Sequence, residues 1–434
     1  MQKVAFYTLG CKVNQYDTQS MLELFKQAGY EIVEFDSRAD VYVINTCTVT
    51  NLGDRKSRQV IRQARDRNPD AIIAVVGCYA QRAPEEVLSI EGVSLVIGTR
   101  DRHKIVRLVE RFKQTREPLN WVRDIMEQEA FEELPIQAYQ GRTRAFIKLQ
   151  EGCNQYCSYC IIPYARGKVR SRRRADIINE VNRLAGYGFK EVVLTGIHIA
   201  SYGLDLDGVT LLDIIKDIHC VDGIKRIRLS SIEPTLLTDD FISSIKELPK
   251  VCRHFHISLQ SGCDRTLRRM NRKYNTDLYR RIVNNLRQAI PQVSITTDVM
   301  VGFPGETEED FVVSYTFVRD IGFSKIHVFK YSPRAGTPAA RFKDQVDGVE
   351  KERRSSHLIR LGSLMERNYI MGFLGQEVEV LLEQQVNTMP GYLEGYTDTY
   401  VKVACKIGEE YQGELVKVLL KDNKGDCVLG QPVM

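Results

Sequence analysis

The sequence predicts an α/β protein of three domains: an N-terminal α/β domain with a parallel sheet, a central partial (β/α)6 barrel and a small C-terminal antiparallel β-barrel. Short apolar runs alternate with amphipathic segments over most of the 434 residues, which is the pattern of βα units. Beyond residue 370 the pattern changes to short strands separated by glycine turns, which favours a closed all-β module of oligonucleotide-binding type. The length also exceeds one ordinary domain of about 150 residues.

The N-terminal domain is predicted over residues 1–120. Its apolar runs and amphipathic segments predict strands at 4–9, 41–45, 72–76 and 95–97 and helices at 15–28 and 54–67. Pro69 and Pro84 lie at joins between these elements. A polar linker is predicted over residues 121–140.

The central domain is predicted over residues 141–370 and contains a second alternating series. Its strands are predicted at 145–149, 191–194, 226–229, 254–259, 293–301 and 325–329. In a barrel of this kind the chemistry lies on the loops that follow the strands. A helical stretch over 349–369 leads to the C-terminal domain, which is predicted over 371–434.

The composition indicates the cellular compartment of the protein and the role of its cysteines. The sequence has no charged-then-apolar signal segment at its start, and its apolar runs are far shorter than the roughly 18 residues of a membrane span. We therefore expect a soluble, cytoplasmic protein. The cytosol keeps thiols reduced, so the eleven cysteines are expected to serve metal or redox chemistry rather than disulfides.

Charge permits a nucleic-acid partner without requiring one. The net charge is +5, although residues 371–434 carry ten acidic residues against five lysines. Basic clusters at 55–67, 166–174 and 265–273 could neutralise phosphates, and solvated helix faces explain each of them equally well. The cluster over 166–174 is the best candidate, and its predicted RNA-binding residues are Arg166, Lys168, Arg170, Arg172 and Arg173.

Three cysteines follow three predicted strands of the N-terminal sheet. Cys11, Cys47 and Cys78 each come soon after a strand and lie about one βα unit apart. Parallel strands end at the same edge of a sheet, so the three thiols are expected to meet there. Burial of each cysteine as a small apolar residue is the alternative.

A second set of three cysteines has the spacing C-x3-C-x2-C in the loop after the first barrel strand. It consists of Cys153, Cys157 and Cys160. Closed zinc sites and most cubane iron–sulfur clusters use four protein ligands, so three thiolates on a cubane would leave one iron open for a small molecule. A zinc site with a distant fourth ligand and a thioredoxin-like CSYC motif remain alternatives.

A series of motifs through essentially the whole chain points to one family. In order, they are TLGCKVNQYD, NTCTVT, GCYAQ, EGCNQYCSYCIIPYARG, LTGIHI, SSIEP, ISLQSG, VGFPGET and YSPRAGT. Together they resemble the methylthiotransferases of the radical S-adenosylmethionine enzymes, which join a three-cysteine N-terminal domain to a radical S-adenosylmethionine barrel and a C-terminal TRAM domain. The two cysteine sets in combination make this resemblance specific.

The resemblance implies two 4Fe-4S clusters and S-adenosylmethionine as cofactors. In that family Cys153, Cys157 and Cys160 would hold a cluster whose open iron binds S-adenosylmethionine for radical cleavage. Cys11, Cys47 and Cys78 would hold an auxiliary cluster at which the sulfur is attached or donated. All six cysteines would then be metal ligands at the catalytic centre.

The resemblance also implies cofactor contacts. One aromatic residue would lie near the adenine, two strand-end residues would leave the backbone open to the cofactor amine, and polar and glycine residues would line the rest of the cofactor. Ordinary loops and turns are the alternatives. The implied residues are Tyr159, Thr195, Gly196, Glu233, Gln260, Ser261, Gly302 and Arg334.

The substrate implied by the resemblance is a tRNA anticodon stem-loop. TLGCKVNQYD, NTCTVT and DRKSRQ are most similar to the branch that adds methylthio to C2 of N6-threonylcarbamoyladenosine at position 37. The N6-isopentenyladenosine branch, the branch acting on a ribosomal protein aspartate and a non-catalytic zinc-containing RNA-binding scaffold are alternatives. The resemblance further implies an electron donor of flavodoxin or ferredoxin type and a sulfur source that the sequence does not identify.

Overall fold

The structure is a computed structural model that describes residues 1–134, 136, 143–425 and 427–433. The predicted linker over 121–140, the start of the predicted central domain at 141–142 and the terminal residue 434 lie wholly or partly outside these ranges. Within them, no helix is long and apolar enough to cross a membrane.

The N-terminal part forms a six-stranded parallel sheet with the order β2-β1-β3-β4-β5-β6. The strands are β1 (Lys3–Thr8), β2 (Glu31–Val33), β3 (Val41–Thr46), β4 (Ile72–Gly77), β5 (Val93–Ile97) and β6 (Leu119–Trp121). The helices are α1 (Lys12–Gln27), α2 (Asn51–Arg67), α3 (Cys78–Arg82), α4 (Pro84–Leu88) and α5 (Ile105–Thr115). The four predicted strands are present, and β2 and β6 are added at the edges.

The central part forms the predicted partial barrel. Strands β7, β9 and β10 pair in parallel, as do β11, β12 and β13. Single bridges from Ile227 to Val251 and from Ile232 to Ile257 join the two groups into one curved wall. The strands are β7 (Arg144–Glu151), β8 (Arg170–Ser171), β9 (Glu191–Gly196), β10 (Arg226–Leu229), β11 (His254–His256), β12 (Ser294–Val301) and β13 (Lys325–Lys330).

Helices cover the outer face of this wall, and the N-terminal domain lies against its inner face. In β7, Ala145, Ile147 and Leu149 belong to the outer core, whereas alternate residues face inward. Inward-facing Lys148 pairs with Asp17 of α1 at 2.6 Å. The helices are α6 (Ile162–Arg166), α7 (Arg174–Gly186), α8 (Leu211–His219), α9 (Asp239–Lys246), α10 (Asp264–Arg269), α11 (Thr276–Ala289), α12 (Glu308–Ile321) and α13 (Gly348–Met371).

The C-terminal part is a closed five-stranded barrel with the order β14-β15-β16-β18-β17. Its pairs are antiparallel as predicted, except that β16 and β18 run parallel. The exception follows from the odd strand number, because five alternating strands cannot close a ring without placing two of like direction together. The strands are β14 (Glu377–Gln385), β15 (Tyr392–Thr397), β16 (Lys402–Lys406), β17 (Leu415–Asn423) and β18 (Val428–Pro432).

Candidate active site

The first cysteine set lies at one edge of the N-terminal sheet, as the sequence predicts. Cys11 is the N-cap of α1, Cys47 follows β3 and Cys78 begins α3 directly after β4. Burial raises the pKa of Cys47 to about 12, with Cys78 and Cys11 adding to the shift, so the three thiols lie within electrostatic reach of one another. Cys78 is buried, whereas Cys11 is exposed.

In each cysteine set, one cysteine directly follows a glycine that fixes its position. Gly77 precedes Cys78 with φ of 97°, and a Cβ atom there would lie 2.5 Å from the Asn45 side-chain oxygen. Gly152 precedes Cys153 with φ of 76°, and its Cβ would lie 1.7 Å from the carbonyl oxygen of Lys168. Any other residue would therefore displace the adjoining thiol.

The second cysteine set lies in the loop between β7 and α6. The thiol of Cys153 accepts a hydrogen bond from the backbone N–H of Gln155 at 3.5 Å, and that of Cys157 accepts one from Arg272 at 3.3 Å. Burial raises the pKa of Cys153 to about 11 and that of Cys160 to about 12. Both thiols therefore favour the neutral form, and binding a metal as thiolates would release their protons.

Both sets fit three-thiolate iron–sulfur sites, in which hydrogen bonds to sulfur tune the cluster. In the ranges that the structure describes, no three His, Cys, Asp or Glu side chains converge as the ligands of a single ion would. A cubane does not require such convergence, because each thiolate binds its own iron. All eleven cysteines are free thiols.

The two sets meet at the same domain interface. Helix α3, which begins at Cys78, packs against α6, which follows Cys160. Arg166 at the end of α6 donates from Nε to the Cys78 sulfur at 3.2 Å. The same guanidinium binds Glu151, two residues before Cys153. One buried side chain thus bridges the two sites.

Arg166 is part of a buried group of three cations and three carboxylates, which we call the interface network. Arg102 contacts Glu132 and Glu151, each at 3.0 Å. Although burial alone would raise it, Arg102, Lys148 and Arg166 hold the pKa of Glu151 well below its usual range. The network holds the N-terminal domain against the barrel with its charges balanced, and its members are Asp17, Arg102, Glu132, Lys148, Glu151 and Arg166.

The prediction of RNA contact is wrong for Arg166, Arg170 and Arg172. All three are buried. Arg170 donates to the carbonyl groups of Lys168 and Arg166, and Arg172 pairs with Glu180 and Glu133. Their charges are used inside the protein, so they do not reach phosphates.

Two of the predicted RNA-binding residues remain on the surface. Lys168 and Arg173 are exposed. Arg173 contacts Asp176 at 2.7 Å, and its side chain is 79% exposed. A phosphate could compete for such an exposed guanidinium.

The residues predicted to bind the cofactor amine and ribose lie at the ends of the barrel strands. Thr195 and Gly196 end β9, and Thr195 is buried. Glu233 is also buried and accepts a hydrogen bond from Arg272 at 2.7 Å. Because Arg272 also binds the sulfur of Cys157, it links this carboxylate to the second cysteine set.

The other predicted cofactor residues lie in loops of the barrel. Tyr159 packs its ring against the edge of Phe303, which follows Gly302. Gln260 has a positive φ of 65°, and its backbone pairs with β12. Ser261 is buried, and its hydroxyl accepts from a backbone N–H two residues on.

Arg334 has a different environment from the predicted carboxylate contact. Its guanidinium binds Thr48, Asn51 and Asp54, at the start of α2 and just after Cys47. The carboxylate that it pairs with is therefore that of Asp54, at 2.6 Å. Arg334 ties the loop after β13 to the N-terminal domain.

A cavity of about 720 Å³ opens between all three domains. Its described lining contains Gly10 and Lys12, on either side of Cys11, but none of the second cysteine set. Cys11 therefore lies between two lining residues along the chain. Its lining includes Lys12, Arg228, His254, Asp298, Phe329 and Tyr400.

One wall of this cavity is a column of stacked rings. Tyr400 stacks between His254 and Tyr396, with ring centroids 4.7 Å apart on each side. Although burial alone would raise it, Arg144 and then Lys12 lower the pKa of Tyr400. The C-terminal barrel thus closes the cavity, and cations surround the phenol.

Two family models match the chain. Residues 3–98 match the model described as Uncharacterized protein family UPF0004, and residues 147–318 match the Radical SAM superfamily. The first match covers strands β1 to β5 of the parallel sheet, and the second runs from within β7 through β12 of the partial barrel.

Full-length relatives are also similar to the chain. Threonylcarbamoyladenosine tRNA methylthiotransferase MtaB of Bacillus subtilis is 46% identical over 421 residues, covering 96% of this chain and 93% of that protein. The tRNA-2-methylthio-N(6)-dimethylallyladenosine synthase of Moorella thermoacetica is 37% identical, covering 95% and 94%. The higher identity is to the relative named for threonylcarbamoyladenosine.

A solved structure shares the fold. The radical S-adenosylmethionine methyltransferase TsrM of Kitasatospora setae matches with a TM-score of 0.58 and 14% identity, covering 78% of this chain and 77% of that chain. At this identity the likeness concerns the fold alone. It confirms the predicted barrel class.

Proposed function

Because the chain belongs to the methylthiotransferase family of radical S-adenosylmethionine enzymes, we propose that it adds a methylthio group to C2 of N6-threonylcarbamoyladenosine at position 37 of tRNA. The relative from Bacillus subtilis named for this substrate supports the choice over isopentenyladenosine. The main structural support is Arg166, which joins Cys78 of the first set to the start of the second cysteine loop, together with a nucleoside-sized cavity whose lining flanks Cys11.

The family uses S-adenosylmethionine and 4Fe-4S clusters. We assign Cys153, Cys157 and Cys160 to the cluster that binds S-adenosylmethionine, and Cys11, Cys47 and Cys78 to the auxiliary cluster. When bound, these groups supply reductive cleavage of a C–S bond, radical activation of a C–H bond and the sulfur to be inserted. The order of the sulfur steps stays open.

The protein's own part is to position and enclose these groups. Arg272 holds Cys157 and Glu233 in one hydrogen-bonded unit. Arg166 holds Cys78 and, through Glu151, the start of the other cysteine loop. Exposed Cys11 borders the cavity, so a base bound there would lie beside the auxiliary site.

The partners follow from this chemistry. Reductive cleavage needs a one-electron donor, which we propose is a flavodoxin or ferredoxin. The tRNA anticodon stem-loop would present its base unstacked at the cavity, and exposed Lys168 and Arg173 would contact its phosphates. We propose that the enzyme acts in the cytoplasm, where tRNA is found.

The function can be tested with anaerobically reconstituted protein. We expect about eight irons per chain, as two cubanes require. Stem-loops that carry either threonylcarbamoyladenosine or isopentenyladenosine would be incubated with S-adenosylmethionine and dithionite, and their nucleosides measured by mass spectrometry. Methylthio product from the first substrate is expected, and product from only the second would overturn the assignment.

A variant set separates the two clusters. Replacing Cys11, Cys47 and Cys78 with Ala should leave about four irons per chain and preserve cleavage of S-adenosylmethionine while abolishing thiomethylation. Replacing the second set should abolish both activities. If both triple variants lose cleavage of S-adenosylmethionine equally, the proposed division of roles between the two clusters is wrong.

A further inference from the structure

Among the described residues that line the central cavity, one cation has no paired carboxylate. Of the other cations in its lining, Arg228 pairs with Glu191 at 2.7 Å, Lys325 with Glu366 at 2.7 Å and Lys402 with Glu394 at 2.9 Å. Lys12 has no hydrogen bond or ion pair with any residue in the ranges that the structure describes.

Of the described acidic groups in the same lining, Glu366 has a lysine partner and Asp298 has a histidine partner. Asp298 lies 3.3 Å from His256, and Glu366 is paired with Lys325. An anionic ligand entering the cavity would therefore meet the unpaired ammonium group of Lys12, and among the described lining residues the charge of Glu366 is offset by Lys325. The local electrostatics favour a negatively charged group at Lys12.

We propose that this cavity binds the modified nucleoside and that Lys12 contacts the carboxylate of its threonylcarbamoyl group. This inference rests on the proposed function and identifies the residue that selects the substrate. Isopentenyladenosine carries an apolar group at the same nitrogen and gains nothing from an ammonium. A charge-assisted hydrogen bond to a carboxylate therefore distinguishes the two nucleosides.

The position of Lys12 suits this role. It directly follows Cys11, so a nucleoside held there lies next to the auxiliary site. The cavity volume of about 720 Å³ lies within the usual range for small-molecule sites. Phe329 lines the same cavity and is 49% exposed, which leaves an aromatic face for a base to stack on.

The inference can be tested by binding, independently of turnover. Reconstituted wild type and Lys12→Gln would be titrated with stem-loops that carry threonylcarbamoyladenosine or unmodified adenosine at position 37, followed by fluorescence anisotropy. Wild type should prefer the modified stem-loop, and Lys12→Gln should lose that preference by about tenfold or more, with affinity for the unmodified one unchanged. Lys12→Arg should keep most of the preference.

A matched control and a substrate variant complete the test. Lys330→Gln removes a cation of the same strand β13 that pairs with Glu352 at 2.6 Å outside the cavity lining, and it should leave the preference intact. A stem-loop whose threonyl carboxylate is a methyl ester should bind wild type as weakly as the unmodified one does. This measurement tests recognition of the carboxylate even if Lys12→Gln loses iron, and Lys12→Arg then tests the role of Lys12.

Two outcomes would overturn the inference. Full preference in Lys12→Gln would show that the carboxylate is recognised elsewhere, and undiminished binding of the methyl ester by wild type would show that the carboxylate charge is not recognised. If wild type still thiomethylates threonylcarbamoyladenosine in either case, the proposed function stands without Lys12. If it thiomethylates only isopentenyladenosine, the proposed function itself fails.

Discussion

At the scale of single residues, the side chain of Arg166 contacts both the first cysteine set and the interface network. Its guanidinium donates to the sulfur of Cys78 at 3.2 Å and also binds Asp17, Glu151 and Asn14. A hydrogen bond to a cluster ligand stabilises the reduced, more negative state of an iron–sulfur centre. This arginine is therefore expected to tune the auxiliary cluster as well as to hold the interface.

Replacing Arg166 should change that cluster measurably. Arg166→Gln removes a positive charge and the N–H donor at Cys78, so the reduction potential of the auxiliary cluster, followed by electron paramagnetic resonance, should become more negative. It also leaves the interface network with an excess negative charge, and breaking a buried pair costs about 3–5 kcal/mol of unfolding free energy. Arg166→Lys should restore part of both effects. An unchanged potential in Arg166→Gln would contradict the tuning role.

Gly152 provides a second residue-scale prediction. A Cβ atom there would meet the carbonyl of Lys168 at 1.7 Å, in a backbone conformation that disfavours L side chains. Gly152→Ala should displace Cys153 and reduce the iron content from about eight to about four per chain. Gly186 has nothing within 4 Å of its Cβ position, so Gly186→Ala should keep full iron content. Full loading of both variants would show that the loop tolerates the change.

At the scale of elements, buried parallel strands were predictable and edges were not. Strands β3 and β4 are buried on both faces and agree with the predicted 41–45 and 72–76 to within one residue. Edge strands β2 and β6 have three residues each and lack a long apolar run. Strand β11 ends at His256, short of the predicted 259, because beyond it only single bridges continue the pairing.

The candidate site was predictable to a similar extent. Cysteine spacing located both thiol sets, because strand ends meet at one sheet edge whatever the side-chain details. The role of Arg166 was not predictable, since a basic run looks the same whether it faces phosphates or buried carboxylates. Lys12 was also missed, because its cavity exists only after three domains are packed together.

Strand β11 carries a prediction about pH. Burial, followed by Arg228, His256, Lys12 and His327, lowers the pKa of His254 well below 6.5. The unfolded chain therefore binds the extra proton first, and native stability should fall as the pH drops through about 6.5.

The test compares His254→Phe with wild type by urea unfolding at pH 7.5 and pH 5.5. Phenylalanine can keep the stack on Tyr400 but cannot titrate. Between these pH values the free energy of unfolding of wild type should fall by up to about 1.4 kcal/mol more than that of the variant. This is the contribution of one titrating group over one pH unit. Equal losses in the two proteins would show that His254 is protonated without penalty in the native state.

At the scale of the whole molecule, the acidic C-terminal barrel is docked onto a basic barrel face. Arg144 pairs with Glu383 at 2.7 Å, and Arg253 pairs with Asp398 at 2.6 Å. The acidic charge of this segment can be counted in the sequence, but the residues that it pairs with cannot be predicted from it. Its acidity, which argues against RNA binding when the segment is considered alone, is used to hold the domains together.

Buried Glu191 lies at the centre of this interface. It pairs with Arg228 at 2.7 Å and lies 3.8 Å from Arg226 and 3.9 Å from Arg144. Arg226 and Arg228 also donate to backbone carbonyls of the C-terminal barrel. One carboxylate thus balances guanidinium groups that reach across to the other domain.

Replacing this carboxylate should loosen the C-terminal barrel. Glu191→Gln leaves neighbouring guanidinium groups without their buried counter-charge, so unfolding free energy should fall by about 3–5 kcal/mol, and limited proteolysis should release residues 371–434 earlier than in wild type. Glu379→Gln is the matched control, because Glu379 also contacts Arg226 but its side chain is 51% exposed, and it should cost less than about 1 kcal/mol. Thermal unfolding and proteolysis that affect both variants equally would mean that docking depends on the exposed rim rather than on Glu191.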